Sequence, residues 1–129
     1  MDKNIKILVC DDEADFRKLM NYWLSSKGYS VIEASSGDEA INILKKEELD
    51  IVFMDLKMPN MDGIETIKNI RKFNKEIPII VISAHVDDPK ASKALSLGVS
   101  GIFYKGADFE EGLVLLESVL RRHKKLKDK

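Results

Sequence analysis

Residues 51–63 read Ile51-Val52-Phe53-Met54-Asp55-Leu56-Lys57-Met58-Pro59-Asn60-Met61-Asp62-Gly63, and the reading of this stretch decides the fold. Its first four residues are apolar without alternation, as in a strand covered on both faces, the situation of a strand inside a parallel sheet. A carboxylate, Asp55, follows the run directly. After a Met-Pro turn, Asp62 with Glu65 three residues on forms a capping box that opens a helix. Strand, acidic tip, turn and helix succeed one another without a spacer.

The same succession repeats on both sides. Strands are expected at Ile5–Cys10, Tyr29–Ala34, Ile51–Met54, Ile79–Ser83 and Gly101–Tyr104. Between the first two, Phe16, Leu19, Met20, Trp23 and Leu24 form one helical stripe that stops at Gly28, a C-cap residue. Ser36 with Glu39 opens the second helix, Asp88 followed by Pro89 the fourth, and Asp108 with Glu111 the fifth. In the fifth, Phe109, Leu113, Leu116 and Leu120 share a face. Five β-α units joined by right-handed crossovers predict a doubly wound, three-layer α/β domain on a five-stranded parallel sheet. Ligands of such domains bind outside the carboxyl ends of the strands, where the strand order reverses.

At 129 residues, 44% apolar and 33% charged, the chain suits one domain with a real core and argues against disorder. The single cysteine, Cys10, excludes an internal disulfide framework and reads as a small core residue. His85 and His123 are isolated, without zinc-site spacing. No secretory signal pattern and no apolar run of membrane-spanning length occurs, so a cytoplasmic protein without membrane insertion is expected. The net charge of −1 hides an asymmetry: residues 121–129 hold six Lys/Arg and one Asp, leaving 15 Lys/Arg against 21 Asp/Glu before them. That acidic body is not expected to bind nucleic acid directly. The basic end reads as an extension of helix 5, the start of a linker, or a contact for an acidic partner; its cations also suit the negative end of a helix dipole.

Four of the five strands deliver a polar group to the carboxyl edge: Asp11-Asp12, Asp55, Ser83-Ala84 and Lys105. Asp11-Asp12 taken alone reads as a helix-capping pair, Ser83 as a cap and Lys105 as a solvated lysine; their convergence on one edge changes that. Three carboxylates and one ammonium sum to −2, and like charges near 4 Å repel by roughly 4 kcal/mol at an effective dielectric near 20. An all-oxygen acidic site favours a hard divalent ion, and Mg²⁺ is the usual one for phosphate chemistry. One carboxylate can then serve as nucleophile towards a phosphoryl group, with the metal and Lys105 neutralising its oxygens.

Ile7-Leu8-Val9-Cys10-Asp11-Asp12-Glu13, the 54–63 segment, Val81-Ile82-Ser83-Ala84, and Gly98-Val99-Ser100-Gly101 ahead of Lys105 together resemble the receiver domain of two-component response regulators, the single-domain chemotaxis regulator among them. The similarity runs from about Ile5 to Leu120, so the domain is expected over residues 1–120. The resemblance implies a flavodoxin-like fold with strand order 2-1-3-4-5 and a phosphoryl group received on Asp55 from a histidine kinase or phosphotransfer protein. It also implies Mg²⁺ held by Asp12, Asp55 and the backbone carbonyl of Lys57, with Asp11 acting directly or through water. Ser83 and Lys105 would bind the phosphoryl oxygens, and small Ala84 leaves the approach open. Output would leave through the helix 4–strand 5–helix 5 face towards an output domain or downstream protein.

Two positions depart from the family's usual pattern. Ile102 stands where an aromatic switch residue is common, and Gly106 where a proline follows the lysine in a cis peptide. A non-proline cis bond costs about 2.5–4 kcal/mol, so a trans Lys105–Gly106 peptide is expected. The alternative to a phosphorylation switch is a receiver-like interaction module that works without phosphorylation. A small-molecule hydrolase is the weaker reading, because no Walker-type nucleotide loop is present.

Overall fold

The structure, a computed structural model, describes residues 4–126. Ten elements alternate along it: β1 (Lys6–Cys10), α1 (Ala14–Ser26), β2 (Ser30–Ala34), α2 (Gly37–Lys46), β3 (Ile51–Asp55), α3 (Gly63–Phe73), β4 (Ile79–Ser83), α4 (Pro89–Ser96), β5 (Gly101–Tyr104) and α5 (Phe109–Arg122). Every neighbouring pair of strands is parallel, in the order β2-β1-β3-β4-β5. The doubly wound parallel sheet is the one expected from the periodicity, and its strand order is the flavodoxin-like one that the resemblance implies. The strand bounds of β1, β2 and β3 differ from expectation by one residue, and β3 takes in Asp55 itself.

Alternation along the strands divides the interior into two layers. Leu8, Val52, Met54 and Val81 point to one side, where they meet Leu44 of α2, Ile67 and Ile70 of α3, and Ala94 of α4. Ile7, Val9, Phe53, Ile80, Ile82 and Phe103 point to the other, against Met20 and Leu24 of α1 and Leu116 and Leu120 of α5. Every residue of β3 and β4 is buried, the reason their sequences lack polar alternation. Each fully buried Leu, Ile or Phe contributes about 1.5–3 kcal/mol relative to exposure. Trp23 stacks on Phe109 with ring centroids 4.7 Å apart, tying α1 to α5.

The helix starts follow the capping chemistry with small differences. Ser36 accepts from the Glu39 N–H, but the Glu39 carboxylate returns to the amide of Ser35, one residue upstream of the expected partner. The Asp62 and Asp88 carboxylates accept from the Glu65 and Lys90 N–H groups, and the Asp108 carboxylate accepts from the Glu110 N–H while the Glu111 N–H donates to Asp108 O. Gly28, just past α1, has φ +96°, the left-handed conformation that ends a helix most cheaply as glycine. Leu19, expected in the α1 stripe, is 49% exposed: the helix turns it away from a core seam centred on Met20 and Leu24. Helix α5 ends at Arg122 and Lys124 adopts φ 59°, so the basic segment leaves the helix near its start; residues 127–129 of that segment, like Met1–Lys3, lie outside the described residues.

One glycine positions the functional edge. A Cβ at Gly63 would lie 2.3 Å from the Asp55 carbonyl oxygen and 2.7 Å from Leu56 Cα. The start of α3 therefore presses directly on the backbone that carries Asp55, and the Gly63 N–H donates to Leu56 O at 3.1 Å.

Candidate functional site

Strands β1 and β3 are neighbours in register Cys10↔Met54, so the residues that follow, Asp11 and Asp55, emerge side by side. They lie at the reversal of strand order, the place where ligands of doubly wound sheets bind. Asp11 is fully buried and Asp55 is 3% exposed, while Asp12, one residue further into the turn, is exposed. Carboxylate oxygens of Asp11, Asp12 and Asp55 lie within 4.8 Å of one another. Lys105 follows β5, its amide donating to Ser83 O. Its ammonium stands 3.1 Å from Asp11 Oδ2 and 3.8 Å from Asp55 Oδ2, pairs with Glu13 Oε1, and sits 4.9 Å from the Phe16 ring centroid.

These groups are not mutually satisfied. Asp11 Oδ1 accepts from the Glu13 N–H at 2.9 Å, whereas its buried Oδ2, although close to Lys105, accepts no aligned hydrogen bond. Asp55 Oδ1 accepts from the Lys57 N–H at 3.3 Å. Burial first, and then the Asp11 charge, push the Asp55 carboxyl up to about 8, with Lys105 pulling the other way. Partial burial works against the Lys105 charge, yet Glu13, Asp11 and Asp55 hold its pKa above the ordinary lysine value. With Glu13 included, four carboxylates face one ammonium. A buried acceptor without a hydrogen bond, together with three convergent hard oxygen donors, is the arrangement a divalent cation fits.

The β4–β5 side of the edge is built differently. Ser83 and Tyr104 are register partners at the ends of their strands. Ser83, 1% exposed, donates its hydroxyl proton to His85 O at 2.9 Å, folding the start of the β4–α4 loop back on itself. Helix α4 is capped by Asp88, so capping is not the serine's role. Ala84 is exposed on the wall of a cleft of about 500 Å³ whose lining includes Asp12, Asp55, Lys57, Ser83 and Lys105. Ile102 packs half-buried against the α2–α3–α4 layer. The Lys105–Gly106 peptide is trans. Cys10 is buried beneath the site, where desolvation and then the Asp11 charge raise its thiol pKa to about 12, making it inert.

Three residues at this edge escaped the sequence reading. Glu13, quoted within the Ile7–Glu13 stretch but assigned no role, reaches Lys105. Arg17, to which no role was assigned, donates from Nη1 to Asp11 O at 2.8 Å. Tyr104 lies two residues beyond Ile102, hence on the same face of β5, and its hydroxyl donates to Val86 O at 3.2 Å. The period-two signal placed Tyr104 on that face; its loop partner had no signal in the sequence.

A doubly wound parallel sheet with an acidic trio and a lysine at its reversal point defines the class. Residues 7–117 match the response regulator receiver domain family, and the chain belongs to that family. It is 34% identical over 108 residues to the sporulation initiation phosphotransferase F of Bacillus subtilis, covering 84% of this chain and 87% of that protein. It is 39% identical over 117 residues to the probable transcriptional regulator ycf27 of Porphyridium aerugineum, covering 91% of this chain and 48% of the relative. The chain thus spans about half the length of the ycf27 relatives, and about a quarter of the transcriptional regulatory protein GlrR of Escherichia coli. Among solved structures, the Vibrio cholerae chemotaxis protein CheY4 superposes with a TM-score of 0.86 at 29% identity, covering 92% of this chain and all of that one. A receiver domain is a phosphorylation-dependent switch of two-component signalling, and such domains generally bind Mg²⁺ in an acidic pocket. Among the described residues, no helix is long and apolar enough to cross a membrane.

Proposed function

We propose that this receiver accepts a phosphoryl group on Asp55 from a histidine kinase or phosphotransfer protein and sheds it by hydrolysis at the same site. The observation that carries the reading is the placement of Asp55, buried beside Asp11 and Asp12 with the Lys105 ammonium 3.8 Å away. In the transfer, an Asp55 oxygen forms a bond to phosphorus as the P–N bond of the donor imidazole breaks, its electron pair returning to the ring. The product is an acyl phosphate.

Asp12 and Asp55, with the Lys57 main-chain carbonyl, would hold Mg²⁺ directly, and Asp11 would hold it directly or through water. Bound there, the cation supplies positive charge to the phosphoryl oxygens. The protein's own contributions are separate. Asp55 must be ionised to attack, and its pKa of about 8 in the metal-free protein means that charge has to be added before it becomes a good nucleophile near neutrality. Lys105 must loosen its hold on Glu13 to pair with the new phosphoryl oxygens. Ser83 must release His85 O to donate to them, which frees the β4–α4 loop. That release favours one arrangement of the α4–β5–α5 face, where an output domain or downstream protein would dock.

We further assign residues 1–120 to the receiver unit, residues 121–129 to a basic continuation, and the whole to the cytoplasm. Asp55→Asn tests the central claim. With acetyl phosphate and Mg²⁺, intact-mass analysis is expected to find one added phosphoryl group on the parent protein and none on the variant. Undiminished labelling of Asp55→Asn, or labelling that survives chelation, would remove the assignment.

A further inference from the structure

The exposed Asp12 carboxylate has no hydrogen-bond or ion-pair partner among the described residues, so the backbone that carries it sets the point from which it can reach into the cleft. That backbone is held at two points. The Asp11 N–H donates to Ala34 O of β2 at 3.1 Å, and Asp11 O accepts from Arg17 Nη1 at 2.8 Å. Because a peptide unit is planar, fixing the Asp11 oxygen fixes the plane that leads into the Asp12 Cα. Arg17 is itself fixed: its Nε donates to Glu33 Oε1 at 2.8 Å, and two bonds from one rigid guanidinium determine its orientation. Glu33 is held in turn by Asn21 at 2.6 Å and Lys18 at 3.2 Å, both from α1. Burial opposes the Glu33 charge, but those hydrogen bonds from Asn21, Arg17 and Lys18 bring its pKa below the ordinary value. The Arg17 and Glu33 side chains are only 13% and 16% exposed, unlike a solvated surface pair.

We propose that Arg17, held by Glu33, is a positioning residue that fixes the Asp11–Asp12 peptide and so aims the Asp12 carboxylate at the cation it shares with Asp55. This rests on the metal site proposed above. A plain staple between α1 and β2 would need only the Arg17–Glu33 pair. The bond from the other arm of the same guanidinium to Asp11 O carries the proposal into the site.

The test is a Mg²⁺ titration of the metal-free protein, followed by amide chemical shifts, for the parent chain, Arg17→Ala, Arg17→Lys, Glu33→Gln, Asp12→Ala and the Arg17→Ala/Asp12→Ala double variant. Arg17→Ala is expected to weaken Mg²⁺ about tenfold, as loss of an orienting outer-sphere partner does, and Glu33→Gln by less. Labelling at saturating Mg²⁺ should return to within about twofold of the parent. In the Asp12→Ala background Arg17→Ala should add nothing, because the carboxylate it aims is gone. Unchanged affinity in Arg17→Ala, or an equal loss with and without Asp12, would overturn the inference and leave Arg17 a staple. Should Arg17→Ala not fold, Arg17→Lys, which keeps the charge but loses the fork, completes the same cycle. A parent protein that binds no Mg²⁺ would sink the proposed metal site and this inference with it; a parent that binds while the variants match it sinks the inference alone.

Discussion

The carboxyl edge of the sheet has two unlike halves. On the β1–β3 side, Asp11 and Asp55 are buried and held by main-chain donors, and the start of α3 presses on the backbone of Asp55, which limits how far the two can separate to relieve their charges. On the β4–β5 side, residues 84–87 are all exposed, Val86 at 76%, and the loop is tied down by two hydroxyls: Ser83, which meets His85 O, the His85 N–H and, at 3.5 Å, Asp88 Oδ2, and Tyr104, which meets Val86 O. The first half is geometrically fixed and electrostatically unsatisfied. The second is satisfied but easily rearranged. A switch needs both, because charge arriving at a rigid site does work only if a neighbouring element can exchange its bonds at a cost of a kcal/mol or so.

The largest expected effect breaks the first half. The Asp55 carboxyl has its pKa raised in the folded protein, so the native state holds that proton more tightly than the unfolded chain does. Stability from this group is therefore highest below the ordinary carboxylate range and falls as pH rises from about 4 to about 8. For metal-free protein the loss should be on the order of a few kcal/mol over that window. Asp55→Asn should flatten the profile and be the more stable protein at pH 8, as read by urea midpoints. Burial and then Arg122, Lys125 and Arg71 lower the His123 pKa, which gives a slope of opposite sign, common to both proteins and removed by taking their difference. A flat difference curve would mean that Asp55 is not electrostatically strained.

Next in size is the ranking of the two N-terminal carboxylates. Asp11 is committed to the Glu13 amide and to Lys105, while Asp12 is uncommitted and open to the cleft. Asp12→Ala should weaken Mg²⁺ by tenfold or more, about 1.4 kcal/mol, and more than Asp11→Ala does. The reverse order in a metal titration would exchange their direct and indirect roles.

The same contrast explains what could be read from the sequence. The rigid half was legible, because apolar runs ending in Asp11-Asp12 and Asp55 state both the burial and the edge, and Ser36, Asp62, Asp88 and Asp108 mark four helix starts. Glu13 and Arg17 were not: a charged residue in the first turn of a helix is usually solvated, and only the closing of the sheet brings Lys105, 92 positions away, against Glu13. Leu19 failed for the converse reason, since helical spacing specifies a face but not how wide a strip of it the sheet can cover.

Ser83→Ala probes the joint between the halves. It removes the hydroxyl's contacts with His85 O, the His85 N–H and Asp88 Oδ2 in a nearly fully buried position, an expected loss of about 1 kcal/mol in urea unfolding. It should leave labelling of Asp55 measurable but uncouple it from the loop. Beryllofluoride, a phosphoryl mimic, should then shift the amides of residues 84–88 far less than in the parent. Equal shifts in both proteins would show that the loop answers to another group.

The smallest effect concerns Tyr104. Its hydroxyl bond to Val86 O lies at the surface, where water competes, so Tyr104→Phe should cost about 0.5 kcal/mol or less. Its consequence should be local: faster amide exchange in residues 84–88 with global unfolding nearly unchanged. Ile102 is β-branched and stiff at χ1, with no ring to swing, so it can register a change at Ser83 only by modest repacking. In the parent protein the beryllofluoride shifts should therefore be largest over residues 84–97, the loop and α4, and smaller near Ile102. Tyr104, paired in register with Ser83 and bonded to the same loop, supplies a second tie that must adjust when Ser83 lets go, so Tyr104→Phe should enlarge the shifts in 84–88 without extending them. Changes confined to β5 and α5 with α4 silent would reverse the contrast, making the loop the fixed half and the basic end of α5 the element that moves.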